Sequence, residues 1–291
     1  MADAPLDTGP SDDELASLPT VFREGLFAGQ VVLVSGGAGG IGRAISYLFG
    51  RLGATVVACG RDAAKLARLE AGLARLGVTC STHVMTIREP RQVAALMDEV
   101  WHRHGRLDVL INNAGGQFPA PALEISPRGW QAVIDTNLNG TWYMTQEAGR
   151  RWIARGHPGV VVTIVVPVVR THVGIAHSMA ARAGQIALTR NLAVEWAPYR
   201  IRLNCVALGV IASPGLERYP PAARATLTLN PLRRMGHVQD VAQACVYLAA
   251  PSGAFITGAV LTVDGGMEVW GEFWPLGRPA YFRPESDPAP G

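Results

Sequence analysis

The stretch Val31-Val-Leu-Val-Ser-Gly-Gly-Ala-Gly-Gly-Ile-Gly42 sets five glycines between an aliphatic run and an apolar helical pattern, Ala44-Ile45 with Leu48-Phe49. A turn without side chains at a helix N-terminus exposes backbone N–H groups beside the positive end of the helix dipole, which makes an anion site. Glycine there lets a pyrophosphate approach the backbone and lets the helix pack closely on the strand. Strand, glycine turn and helix in this order predict dinucleotide binding. The spacing reads in two ways: Gly37, Gly39 and Gly42 satisfy GxGxxG, whereas Gly36, Gly40 and Gly42 satisfy Gly-x-x-x-Gly-x-Gly.

The residues after the second apolar run address the adenosine end. An acidic side chain there would hold a ribose 2′-hydroxyl and repel a 2′-phosphate. The chain instead has Cys59-Gly60-Arg61-Asp62-Ala-Ala-Lys65. Arg61 offers a planar cationic fork suited to phosphate, with Lys65 a helical turn further on. Asp62 reads as the N-cap of the next helix. NADP is expected in preference to NAD.

Seven short apolar runs position these residues: Val31–Ser35, Thr55–Cys59, Thr79–Met85, Val109–Asn112, Val160–Val166, Arg202–Val206 and Val260–Val263. Helical patterns lie between them at Gly40–Leu52, Ala63–Leu76, Pro90–His104, Pro127–Arg155, Gly174–Trp196 and Val238–Ala249. The alternation predicts an α/β fold, a single Rossmann-type doubly wound seven-stranded parallel sheet with helices on both faces. Ligands of such sheets bind beyond the strand C-termini where strand order reverses, so the loops after the first, fourth and fifth strands should carry the site. Residues 1–20 read as a disordered tail, 21–266 as the dinucleotide-binding domain, and 267–291 as an aromatic and Pro-rich extension. Trp270, Phe273, Trp274, Tyr281 and Phe282 are expected to dock on a neighbouring subunit or cover the site.

A formal charge of +3 over 291 residues is too small to imply nucleic acid or an anionic membrane as partner. The four cysteines, Cys59, Cys80, Cys205 and Cys245, lack the spacing of a zinc site or a disulfide framework, and no metal is expected. The acidic start lacks the pattern of a signal peptide, and no apolar run is long enough to span a bilayer; a cytoplasmic protein is expected.

Asn112-Asn-Ala-Gly115, Asn137-Leu-Asn-Gly140, Ile256-Thr-Gly258 and Val263-Asp-Gly-Gly266, together with Gly36, Gly40 and Gly42, resemble the short-chain dehydrogenase/reductase family from about Leu26 to Gly266. The resemblance implies cofactor contacts at Ser35, Gly36, Gly40, Ile41, Gly42, Arg61, Asn113, Ala114, Gly115, Arg182 and Ile211. It also implies a homotetramer built through the fourth and fifth helices, with Val133, Ile134, Trp142, Ile186 and Leu188 as candidate apolar contacts unless these face the sheet. Two departures stand out: Thr86 and Ile87 replace an Asp near the adenine, and Leu208 replaces a Pro before Gly209.

The catalytic segment departs further. The family pairs a Tyr with a Lys four residues later, alongside a Ser and an Asn that holds a relay water. Alignment through Ala183-Gly184 and Asn191-Leu-Ala-Val-Glu-Trp196 puts Ser178 at the Tyr, Arg182 at the Lys, and Val165 or Val166 at the Ser; Asn137 alone is retained. A Ser hydroxyl is a poor acid or base alone, and Arg stays protonated, so it can anchor a ribose but cannot shuttle a proton. Asn137, Ser178 and Arg182 are the expected catalytic residues. Gln117 and Phe118 should line the substrate channel, His172 and His177 are candidates for proton chemistry, and Pro214–Leu229 should cover the substrate.

Asn113-Ala-Gly-Gly-Gln-Phe118 and His177-Ser-Met-Ala-Ala-Arg-Ala-Gly184 resemble the peroxisomal trans-2-enoyl-CoA reductase branch. The likeness to a bacterial group associated with citronellol and citronellal oxidation extends into the aromatic tail. The first resemblance implies hydride transfer to the C=C of an enoyl thioester or similar conjugated apolar substrate. The second implies an alcohol or aldehyde dehydrogenase for an apolar substrate such as an acyclic terpenoid. The missing Tyr, Lys and Ser leave a non-catalytic NADP-binding protein as a third reading.

Overall fold

A computed structural model describes residues 8–219, 223, 227, 230–271, 275, 279 and 281. Its strands are β1 (Val31–Ser35), β2 (Thr55–Gly60), β3 (Cys80–Val84), β4 (Val109–Asn112), β5 (Gly159–Val165), β6 (Ile201–Leu208) and β7 (Val260–Val263). They form one sheet in the order β3-β2-β1-β4-β5-β6-β7. Every neighbouring pair is parallel. The order reverses between β1 and β4, so a crevice opens beyond Ser35 and Asn112.

The helices are α1 (Asp12–Ser17), α2 (Gly40–Arg51), α3 (Ala63–Arg75), α4 (Pro90–His104), α5 (Pro127–Ile134), α6 (Gly140–Arg155), α7 (Ala176–Glu195) and α8 (Val238–Ala249). Strand periodicity sorts the core into two layers. Val32, Val34, Val56 and Ala58 pack with α2, α3 and α8, while Val31, Leu33, Val57 and Cys59 face α4, α6 and α7. Val133 and Ile186, two of the candidate tetramer contacts, are 5% exposed and belong to the chain's own interior.

Two expectations fail. The first is the disordered beginning. Ser11 and Glu14 form a capping box on α1, Leu15 is buried, and Asp12 takes Arg43 at 2.7 Å and Arg68 at 2.6 Å. Arg51 donates to the Leu15 and Leu18 carbonyls at 3.1 and 2.7 Å. The acidic residues that suggested a solvated tail are partners for arginines of α2 and α3; residues 1–7 lie outside the described part. The second is the long helix Pro127–Arg155, which a π-helical turn, Asp135–Asn139, divides into α5 and α6. One extra residue per turn turns Asn137 inward, where it is fully buried.

In the C-terminal extension, the Tyr281 hydroxyl donates to the Pro231 carbonyl at 3.2 Å and Arg233 lies over its ring. Phe273, Trp274 and Phe282 lie outside the described residues. Among the described residues no helix is long and apolar enough to cross a membrane, and no group of His, Cys, Asp and Glu is placed to hold a metal ion. Burial pushes the Cys59 and Cys80 thiols up to about 12 and Cys205 to about 11, so they stay protonated and unreactive.

Candidate active site

The crevice begins at the Ser35 hydroxyl. It donates to the Ile111 carbonyl at 3.3 Å and accepts the backbone amides of Asn113 and Ala114 at 3.1 Å each. The Asn113 side chain donates to the Ser35 and Gly36 carbonyls at 3.1 Å each. Asn113 thus locks the loop after β4 to the glycine turn. Gly36 (φ 64°) and Gly40 (φ 41°) occupy the left-handed region. A Cβ on Gly42 would run into the Gly36 carbonyl and the Asn113 amide nitrogen. The turn is a cradle held open by missing side chains.

At the adenosine side Arg61 is exposed beyond β2. Asp62 caps α3 by accepting the Lys65 amide at 3.0 Å, and its carboxylate stands 3.6 Å from the Lys65 ammonium. Ile211 is buried and bridges to Gly236 beneath the segment that follows β6. Ser213 and Pro214 stand over Gly40, within 3.4 and 3.6 Å of where its Cβ would be.

Ser178 and Arg182, one turn apart on α7, both reach the loop after β4. Arg182 donates through Nη1 to the Ile164 carbonyl at 2.7 Å and to Gln185 Oε1 at 3.1 Å. Its Nη2 lies 2.7 Å from where a Cβ on Gly115 would sit, and its buried Nε has no hydrogen-bond partner. Desolvation lowers this guanidinium to about 10, still protonated at neutral pH. A buried cation with an unused donor beside a glycine cradle fits the ribose and phosphates of a dinucleotide.

Asn137 spends its side chain on Gly116, accepting the amide at 2.9 Å and donating to the carbonyl at 3.0 Å. Its backbone carbonyl accepts Gln185 Nε2 at 2.6 Å, and the same nitrogen donates to Thr141 Oγ1 at 2.7 Å. These bonds engage both the side chain and the backbone carbonyl of Asn137, the atoms through which it would hold a relay water. The difference arises because Gln185 lies three residues beyond Arg182 on the same helix face and is long enough to reach the π turn.

Ser178 differs from expectation too. It is fully buried, and its hydroxyl donates to Gln117 Oε1 at 2.5 Å rather than facing an open cleft. Gln117 Nε2 in turn donates to the Tyr219 hydroxyl. Tyr219 follows the 3₁₀ turn Pro214–Arg218, at the start of the expected cover; positions 220–222, 224–226, 228 and 229 lie outside the described residues. The residues that sequence reasoning missed are therefore Gln185 and Tyr219. Helix periodicity could have found the first, but a loop residue such as Tyr219 leaves no periodic signal.

His177 Nδ1 accepts the Ser178 amide at 2.8 Å, and its ring meets Phe118 edge-on at 4.4 Å. Its Nε2 is buried without a hydrogen-bond partner, as is that of His172. Desolvation holds both imidazoles below their ordinary value, so both are neutral at pH 7. Phe118 is partly exposed and closes over the start of α5 at Gly129.

The sheet order, the glycine cradle and the α7 side chains facing it define a dinucleotide-dependent oxidoreductase. The chain belongs to the short-chain dehydrogenase/reductase family: a family model described as enoyl-(acyl carrier protein) reductase matches residues 36–268. A probable 2,4-dienoyl-CoA reductase of Bacillus subtilis is 34% identical over 243 residues, 81% of this chain and 96% of its own length. A peroxisomal 2,4-dienoyl-CoA reductase of Pongo abelii is 35% identical over 272 residues, covering 91% and 92%. The solved structure of a citronellol catabolism dehydrogenase from Pseudomonas aeruginosa superposes with a TM-score of 0.77 at 35% identity, covering 86% of this chain and 99% of that one.

Proposed function

We propose that this protein is an NADP(H)-dependent reductase acting on the C=C bond of an enoyl thioester or a similar conjugated apolar substrate. The reading rests on the pair Ser178 and Arg182, one turn apart on α7, which the sequence resemblance sets at the family's Tyr and Lys. Reduction of a carbonyl creates a basic alkoxide that must be protonated as it forms, and loss of the acid costs about 10²–10⁴-fold. Reduction of a conjugated C=C instead delocalises charge onto the thioester oxygen as an enolate. That intermediate needs hydrogen-bond donors, while the proton for Cα can come from water. The names of the dienoyl-CoA reductase relatives agree with this chemistry.

The glycine turn would hold the pyrophosphate, Arg182 the nicotinamide ribose, and Arg61 with Lys65 the 2′-phosphate. When bound, the reduced nicotinamide supplies a hydride. The chain's own contribution is to fix the loop after β4 through Ser35, Asn113 and Asn137. It also presents Gln117 and Phe118 to the substrate and keeps a permanent positive charge at Arg182. Arg61→Asp should reverse the coenzyme preference, with at least a tenfold fall in the NADPH-to-NADH ratio of kcat/KM, about 1.4 kcal/mol; an unchanged ratio would contradict the assignment of Arg61.

The likeness to the citronellol catabolism dehydrogenase supports a second reading, oxidation of an apolar alcohol, with neutral His172 or His177 as base. NADPH consumption with a medium-chain trans-2-enoyl-CoA, with the product identified by mass, separates the two. The saturated thioester supports the first reading; citronellol oxidation that is lost with either His, and no saturated thioester, supports the second. We assign the assembly as a homotetramer on the family resemblance, with Ile134, Trp142 and Leu188 the candidate contacts that are not fully buried.

A further inference from the structure

We infer that Tyr219 supplies the hydrogen bond that holds the negative charge of the enolate, an inference that rests on the proposed C=C reduction. Three observations converge on it. First, Ser178 cannot play that part directly, being fully buried with its proton given to Gln117 Oε1 at 2.5 Å. Second, the donor chain runs outward. Ser178 donates to the Gln117 carbonyl oxygen, and the Gln117 amide nitrogen donates to the phenol oxygen of Tyr219. The phenol therefore accepts from the protein and keeps its own proton for another acceptor, and each bond in such a chain polarises the next. Third, the turn that carries Tyr219 is seated on the cofactor cradle. Ser213 and Pro214 approach Gly40, and the Tyr219 amide bonds back to the Leu216 carbonyl at 3.1 Å. The phenol is half-buried and paired with Gln117, on a segment whose start lies against the glycine turn, and a thioester carbonyl bound beside it would take its hydrogen bond.

Both Gln185 amide hydrogens are used on Asn137 and Thr141, and the unpaired Arg182 Nε is buried beside the glycine cradle, where it serves the dinucleotide. With NADPH bound, a hydride would add to Cβ as the C=C electron pair shifts, and the carbonyl would become an enolate whose oxygen accepts the Tyr219 hydrogen bond. The enolate collapses to the thioester as Cα takes a proton from water, leaving NADP+ and a saturated thioester. Tyr219 keeps its proton throughout, so a phenol from a different element acts as a donor where this chain has Ser178 on α7.

The test compares wild type, Tyr219→Phe and Gln117→Leu for enoyl-thioester reduction, with NADPH affinity and Tm checking that each variant is intact. Tyr219→Phe should lower kcat by about 10²–10³-fold, the usual worth of one oxyanion donor, with KM and NADPH affinity nearly unchanged. Gln117→Leu should lower kcat by about tenfold. With wild-type reduction intact, Tyr219→Phe within about twofold of wild type in kcat, or a loss confined to KM, overturns the role of Tyr219 alone. Absence of any enoyl-thioester reduction by the wild type overturns the substrate class and this role together.

Discussion

On the proposed reading, two side chains on one face of α7 limit what the site can do with a proton. Arg182, even lowered to about 10, stays protonated and cannot relay. Ser178 has a hydroxyl but directs it into Gln117. Ser178→Ala should therefore slow turnover by about tenfold through loss of Gln117 positioning, with NADPH affinity unchanged; steady-state kinetics beside a binding titration reads both. Gln185→Leu strands the Asn137 carbonyl, the Thr141 hydroxyl and part of Arg182 together. A buried polar group left unpaired costs about 1–3 kcal/mol, so urea unfolding should show a loss of at least that size. Desolvation of His172 and His177 adds to the acid sensitivity. Their folded values lie below the ordinary 6.5, so below about pH 6.5 the unfolded chain binds protons that the folded chain does not. Stability should be full above that pH and decline beneath it, and His177→Asn should make the decline shallower in urea titrations at stepped pH.

Elements carry these residues to one place, and how legible each was in the sequence follows from its physics. The five buried residues of β1 and the five glycines that follow have one low-energy solution, so strand, turn and helix were readable directly. Gly42→Ala should abolish dinucleotide binding, because its Cβ would displace the Gly36 carbonyl and the Asn113 brace; a retained Kd would contradict the cradle. The π turn was hidden, since the backbone stays right-handed helical across both junctions and no side-chain cap marks either. Helix α1 was hidden for a different reason: its acidic residues look solvated until Arg43 and Arg68 of other helices are brought to Asp12. Asp12→Ala leaves the part-buried Arg43 without its carboxylate, and about 1–3 kcal/mol of stability should go with it, visible as a lower urea midpoint. Tyr219 and Gln117 meet only because loops after β6 and β4 converge, which no local pattern encodes.

At the scale of the whole molecule, the reversal of strand order between β1 and β4 gathers the glycine cradle, the loop after β4 and α7 around one crevice. Chain segments far apart in sequence supply its parts: Ser35 and Asn113 hold the cradle, Asn137 bonds to Gln185 in the interior, and Gln117 bonds to Tyr219. The central claim is that this crevice delivers a hydride to carbon of a conjugated C=C rather than to a carbonyl. Deuterium tracing tests it most directly: NADPH deuterated at the nicotinamide C4 is supplied with a trans-2-enoyl thioester in ordinary water, and the product is read by NMR and mass. One deuterium at Cβ of a saturated thioester, with Cα protonated by solvent, is the predicted result. Label appearing only on a carbinol carbon, from an aldehyde supplied in parallel, would contradict it.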